Sequence, residues 1–472
     1  MNRTAKMNTR LLAAFVVFTA ALAVGCQGTS TDKYMTRTDA LEQLRAIEPF
    51  APEAVVKDET PPAEGAAGTP GEKPQAAPAE VSLTIEECRA AALEGNLDLK
   101  VALYSPAIAA ESVTQEEARF EASLFSKLLF AKTDAPTAST LSSSKAESVA
   151  GNLGVNVPLK TGGTITLDLP ASRYKDNNAF STLNPAYTSD FSASISQPLL
   201  NGAGVTANTH SIRVARYQAD ISRAETKLAC MRVVAGVDRV YWQLYSARKL
   251  LDVRKNEYDL AVAQLERAKR QADAGLAKEV DVISAETGVA ERLEAVIIAD
   301  NDSRLRERDL KRALNREHLD MESSTVVVPV TEPDPVHYNF DPARLVHAAM
   351  ENRMELLELE LQLAQDQSSI DYARNQRLPG LALGYRYTVN GLGGTLGDSM
   401  DLMRDKRFED HSVTLDFSVP LGNADARSRL RQALTTRVQR LATRESRQAE
   451  ITQEVLNALD QIEANWQRLL AN

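Results

Sequence analysis

From Leu199 to Thr325 the chain contains no proline, and after Gly202 and Gly204 only Gly236, Gly275 and Gly288 interrupt a run rich in Ala, Leu, Arg, Glu and Gln. Such composition at this length predicts very long helices. If Val205 to Ala274 forms one helix, it spans about 105 Å at roughly 1.5 Å per residue, far beyond any globular core. Gly275 is the natural turn, and a return helix is expected from about Glu279 to Asn315. Val233, Val237, Val240, Tyr241, Leu244, Leu251 and Tyr258 recur at spacings of three and four, the seam of a coiled-coil hairpin. A soluble helical bundle would carry the same seam, so the flanking segments decide between the two.

Those flanks alternate with period two. In Phe191 to Leu199 one face reads Phe191, Ala193, Ile195 and the other Ser192, Ser194, Ser196. In Ser412 to Val419 the apolar face is Val413, Leu415, Phe417, Val419 and the polar face Ser412, Thr414, Asp416, Ser418. Leu381, Leu383, Tyr385, Tyr387 and Val389 alternate with Ala382, Gly384, Arg386 and Thr388. One apolar and one polar face mean half-buried strands. A further alternating pair, Leu153 to Leu159 and Thr164 to Leu169, is joined by Lys160-Thr161-Gly162-Gly163 and reads as a hairpin. A soluble sandwich and a lipid-facing barrel with a wet lumen both give this pattern.

The N-terminus favours the barrel. Arg3, Lys6 and Arg10 precede the apolar run Leu11 to Val24, which ends in Gly25-Cys26, the order of a secretory signal. That run is too short for a membrane span, so a membrane-embedded part must be a barrel or an anchor. Residues 1–25 are therefore read as signal peptide. Cys26 is placed as the lipidated first residue of a lipoprotein, although Ala23 stands where a large aliphatic residue is expected; an ordinary cleaved signal is the other reading. Residues 26–82 form a tether, because Pro49 to Glu80 is dense in Pro, Ala, Glu and Gly and cannot bury enough apolar surface to offset its ordering. Ordered structure is expected from Leu83.

Two copies of one unit follow. Thr84-Ile85-Glu86-Glu87 is a capping box, and Asp341-Pro342 is an equivalent start with aspartate as cap and proline in the first turn. Ala92 to Leu99 matches Ala349 to Leu356 at a constant offset. The copies are read as 83–325 (helix, strands, long helical hairpin) and 326–472 (helix, strands, truncated helix). The corner Ser196-Gln197-Pro198-Leu199-Leu200-Asn201-Gly202 recurs as Ser418-Val419-Pro420-Leu421-Gly422-Asn423.

With the hairpin tip Ala274-Gly275-Leu276-Ala277-Lys278-Glu279-Val280-Asp281-Val282 and the signature Val240-Tyr241-Trp242-Gln243-Leu244, this order resembles the TolC-like outer-membrane efflux family. The resemblance covers about Leu83 to the C-terminus. It implies a mixed helix-and-strand membrane protein of two repeats, with coiled-coil hairpins building a periplasmic tunnel. A homotrimer would close a 12-stranded outer-membrane barrel, four strands per chain. The implied role is the passive outer-membrane duct of a tripartite efflux or type I secretion system, fed by an inner-membrane transporter through a periplasmic adaptor. Gly275, Leu276 and Ala277 would meet the adaptor, or Gly275 merely permits the turn while Leu276 caps the seam. Asp281 would sit at the tunnel entrance, or is a solvated helix N-terminal carboxylate. Ser192, Ser194, Ser196, Thr414 and Asp416 would face the lumen, with the opposite face against outer-membrane lipid. Two features depart from the family pattern: the additional hairpin, and a second long helical hairpin that is nearly absent, so that the chain is expected to be a fragment or its tunnel differently built.

Other classes lose ground. A net charge of -10 argues against a nucleic-acid partner. Cys26, Cys88 and Cys230 make no disulfide framework, and His210, His318, His337, His347 and His411 show no metal-ligand spacing. Neither a catalytic motif nor a cofactor motif stands out, so a secreted enzyme is the minority reading. The main alternative is a non-channel coiled-coil structural lipoprotein of the cell envelope, which needs the helices but not strands with a polar face.

Overall fold

The computed structural model describes residues 80–138, 142–316 and 318–471; Cys26 and the tether lie outside them. The chain divides into two compact units, each drawing on both sequence repeats. Among the described residues no helix is long and apolar enough to cross a membrane.

One unit holds residues 80–108, 222–355 and 450–471 and is built on helices. Strand β1 (Glu80–Leu83) pairs in parallel with β7 (Val326–Pro329). Helix α1 (Ile85–Gly95) starts as the sequence predicts, with Glu87 N donating to Thr84 Oγ1 at 3.2 Å and Thr84 N donating to Glu87 Oε2 at 2.9 Å. Those bonds hold the Glu87 carboxyl below its usual range. The chain breaks at Asn96, whose side chain caps the next helix, α2 (Leu97–Ala118), by accepting from Leu99 N at 3.0 Å. The second copy repeats this residue for residue: α6 (Pro342–Asn352) begins behind an Asp341 cap, and α7 (Met354–Gln376) follows after a break at Arg353. The long helix expected from Val205 instead has a short first piece, α3 (Val205–Asn208), before α4 (His210–Asp273). Its return partner is α5 (Glu279–Leu314). Their seam is the core of this unit: Val237, Tyr241 and Leu244 of α4 bury against Leu310 and Leu314 of α5, with Leu83, Cys88, Ala92 and Val327 closing the cluster. The buried Tyr241 hydroxyl donates to Leu83 O at 3.1 Å and accepts from Thr331 N at 2.9 Å, which staples the small parallel sheet to the hairpin. Cys88 packs as a small apolar residue, and burial pushes its thiol up to about 11.

The other unit holds Ala109–Ile221 and Leu356–Ala449 and contains the large sheet. Its strands are β2 (Ser123–Asp134), β3 (Lys145–Pro158), β4 (Thr164–Asp176), β5 (Ala186–Ser189), β6 (Phe191–Pro198), β8 (Gly380–Val389), β9 (Leu392–Gly393) and β10 (Glu409–Ser418). The continuous path runs β10-β8-β6-β4-β3-β2, antiparallel at every step. Four of these strands come from the first repeat and two from the second. The path thus carries six strands where the family resemblance implies four per chain, because β2 and β3 pair edge-on with β4 and continue its sheet. Helices α8 (Leu396–Arg404) and α9 (Ala424–Ala471) complete the element order.

Candidate functional site

Every pairing along the path keeps the same parity, so each face carries through unbroken from strand to strand. On one face Val155 of β3 stands beside Leu124 and Leu167, Ile165 beside Ile195, Ile195 beside Tyr385, and Tyr385 beside Val413. On the edge strands this face is open, with Leu128 81% exposed and Val413 71%, and on the inner strands Ile165, Ile195 and Tyr385 are half-buried. At the far ends of the strands it gives way to charge, with Lys132 bonded to Glu147 at 2.9 Å and Lys145 to Asp134 at 3.4 Å. There the aromatic rim takes up polar partners: Tyr387 OH donates to Glu409 Oε1 at 2.6 Å, and Tyr385 OH lies 2.9 Å from His411 Nδ1. An apolar band ending in an amphipathic aromatic and charged rim is what a bilayer core and its interface select.

The opposite face is polar from β4 to β10 along the membrane-facing stretch, while on β2 it also carries Phe125 and Leu129 beside Lys127. Ser192, Ser194 and Ser196 stand level with Thr388, Arg386 and Gly384 of β8, and through them with Asp410, Ser412 and Thr414 of β10. Asp416 follows beside Ala382. The structure thus brings all five polar-face residues singled out in the sequence onto one face, on which Ser192 is buried, Ser194 half-buried and Ser196, Thr414 and Asp416 exposed. Gly384 separates Ser196 from Thr414, and a Cβ there would collide with Thr414 Oγ1, so glycine leaves room for that hydroxyl. Two contributors lay outside the segments read as alternating. Lys127 of β2 is one, because Leu128-Leu129-Phe130 breaks the alternation of that strand. Asn152 of β3, just ahead of the alternating stretch, is the other, and the register adds Asp168, on the polar side of the alternating segment of β4.

The strands are moored to the helices at one end. Gln197 Nε2 donates to Thr161 O at 3.1 Å while Thr161 Oγ1 donates to Gln197 Oε1 at 2.8 Å, which ties the β3–β4 turn to the end of β6. Asn201 Nδ2 donates to Gln376 O and Leu378 O, Gly202 N to Asn375 Oδ1, and Asn423 Nδ2 to Arg377 O. The duplicated corner is thus a pair of strand-to-helix exits that share the start of β8 as anchor. At the other end the loops interlock: β9 pairs with β5, Ser189 Oγ lies 2.8 Å from Ser399 Oγ of α8, and Asp190 Oδ1 accepts from Gly391 N. Burial there, with Asp410 nearby, pushes the Asp190 carboxyl up.

The hairpin tip lies at the end of α4. Gly275 adopts φ of 70°, the left-handed conformation that closes the helix, and Leu276 N donates back to Gln271 O at 2.8 Å. Leu276 does not fold onto the seam: it is 81% exposed, beside Val280 at 71%. Ala277 is half-buried. Asp281 opens α5, its Oδ2 accepting from Lys278 N at 2.9 Å, which is the helix-start geometry the sequence allowed. Among the described residues no group of three or more His, Cys, Asp or Glu is placed to hold a metal ion.

A polar-faced, apolar-backed sheet carried on long helices defines the class of outer-membrane channels. The model of the family described as outer membrane efflux protein matches residues 164–316 and 345–471, and the chain belongs to that family. The solved outer-membrane channel OprN is similar at 16% identity with a TM-score of 0.59, over 82% of this chain and 76% of its own. VceC, an outer membrane protein of Vibrio cholerae, gives 11% identity and 0.56 over 82% and 80%. A membrane protein from Pseudomonas aeruginosa gives 16% and 0.58 over 80% and 76%. At these identities the likeness concerns the fold. No curated protein matches the chain in sequence.

Proposed function

We propose that this outer-membrane efflux protein is a passive duct, assembled as a homotrimer, that receives solutes from an inner-membrane transporter by way of a periplasmic adaptor. The single observation that carries this reading is the parity of the sheet: its registers gather Leu124, Val155, Ile165, Ile195, Tyr385 and Val413 on one face and Lys127, Asn152, Asp168, Ser194, Thr414 and Asp416 on the other. Hydrocarbon has no groups to pair with a polar face, so the polar side belongs to water and the apolar side to lipid. In this assembly Ser192, Ser194, Ser196, Thr414 and Asp416 line the lumen. The alternative of a non-channel coiled-coil lipoprotein gives that polar face nothing to do. Cys26 carries the lipid that holds the mature N-terminus at the outer membrane, with residues 26–82 as its tether, while 83–325 and 326–472 act as the two repeats.

The exposed tip supports adaptor contact over a purely architectural role. A large apolar side chain left out of its own helix seam, flanked by Gly275 and Ala277 that let a partner helix approach, is the chemistry of a small docking knob. Asp281, next to it on the first turn of α5, is where the tunnel entrance would lie. Leu276→Asp tests the reading: export of a pump substrate should fall to the level of a strain lacking the channel, with unchanged amounts of protein and of oligomer in the outer membrane. Export at the wild-type rate from Leu276→Asp would remove the tip from the contact.

A further inference from the structure

The sheet ends in two open edges. Among the described residues, β2 pairs only with β3 and β10 only with β8, so each turns one row of backbone N–H and C=O groups outward. In a bilayer such a row must be paired, and a curved sheet satisfies both edges at once only by joining them through further copies of itself. The strand directions allow it: β2 leads away from the helical end and β10 returns to it, so they meet antiparallel.

We infer that β2 of one chain pairs with β10 of the next, and that the β2–β3 hairpin is a full part of the barrel wall, so that three chains of six strands close an eighteen-stranded barrel. This rests on the trimeric channel reading above and goes beyond it in strand number and in the identity of the joint. Three observations carry it. First, a twelve-stranded trimer would need the outer edge of β4 free to receive β10, yet that edge is bonded to β3 from Thr164 through Asp176, and β3 in turn to β2 from Lys145 through Asn156. Second, β2 has 12 residues and β3 has 14, enough to cross a hydrocarbon core that needs about 9–11 tilted residues.

Third, the two edges are complementary in one register. Placing Leu124 opposite Phe417 on the apolar face brings Leu128 opposite Val413, Phe130 opposite His411 and Lys132 opposite Glu409. The same register puts Lys127 on the polar face opposite Thr414 and one diagonal step from Asp416, within reach of a long side chain, with Phe125 opposite Asp416 and Leu129 opposite Ser412. The acidic edge, with Glu409, Asp410 and Asp416, thus meets the edge that carries Lys127 and Lys132. Barrel diameter grows roughly linearly with strand number, so eighteen strands make a bore about half again as wide as twelve.

Cross-linking in outer membranes tests the joint on the full chain, with Cys88→Ala and Cys230→Ala to remove the other described thiols. Leu128→Cys combined with Val413→Cys should convert most of the protein, on mild oxidation, to a species of three-chain mass that reduction returns to monomer. Either cysteine alone should give no three-chain species. A second double variant, Leu167→Cys with Leu415→Cys, reports β10 against β4 and should stay monomeric. Cross-linking by this second pair instead of the first would overturn the inference while leaving the channel reading intact. Closure of the first pair at two-chain mass would overturn the number eighteen. Absence of any cross-link from either pair would overturn the inference, and the oligomeric channel reading with it.

Discussion

His210, at the start of α4, shows how one side chain sets a pH limit on the mooring of the strands. Its ring stacks on Tyr372 with centroids 4.7 Å apart, and its Nδ1 lies 3.0 Å from Ser368 Oγ. That hydroxyl also accepts from Arg213 Nε at 3.1 Å, which sets a guanidinium charge beside the imidazole. Burial first, and the Arg213 charge second, lower the His210 pKa from 6.5 to about 4. A depressed folded-state value means the unfolded chain binds the proton more readily. The stabilisation is therefore complete above about pH 6.5 and is lost as the pH falls toward 4. The apparent melting temperature should drop across that window. His210→Gln, which keeps a hydrogen-bond partner for Ser368 and cannot titrate, should flatten the drop; an unchanged pH profile in the variant would assign the acid sensitivity elsewhere.

Strands and helices differ in how openly the chain announces them. The α4–α5 hairpin, the capping box of α1 and the equivalent start of α6 were legible because each rests on local chemistry: a cap, a proline in the first turn, a glycine at the turn, apolar spacing. The alternating strands β6, β8 and β10 were legible for the same reason, and so was the turn between β3 and β4. Strand β2 was not, since Leu128-Leu129-Phe130 reads as either face and only the pairing with β3 fixes which residue points where. Nor were β1 and β7, whose four residues each are held by partners more than two hundred positions apart. The break at Thr209 between α3 and α4 also lay beyond composition. For the strands that were legible, the face assignment has a direct test. Ile195→Arg should cost roughly 2–4 kcal/mol and block assembly, whereas Ser194→Arg on the opposite face should assemble nearly as wild type. Equal yields of heat-stable oligomer from the two variants would contradict the assignment.

At the scale of the molecule, the lipid proposal rests on the sequence of residues 1–26, which lie outside the described residues. Radiolabelled fatty acid should enter the wild-type protein and not Cys26→Ala; equal incorporation would mean that the barrel alone holds the protein in its membrane. The wall itself carries a further implication. In both repeats the chain enters the sheet from a helix and leaves it into a helix at the same end, where the Gln197, Asn201, Asn375 and Asn423 amides gather. A single added strand would deliver the next helix to the far side of the bilayer. Only an even insertion returns it, and only an unchanged register parity keeps the sides of the sheet in their own solvents. The hairpin is thus the smallest increment by which such a wall can lengthen. A lineage of these ducts can acquire new bore in steps of two strands while its helical machinery stays untouched, and the first repeat, with four strands to the second's two, has the form that one such step would leave.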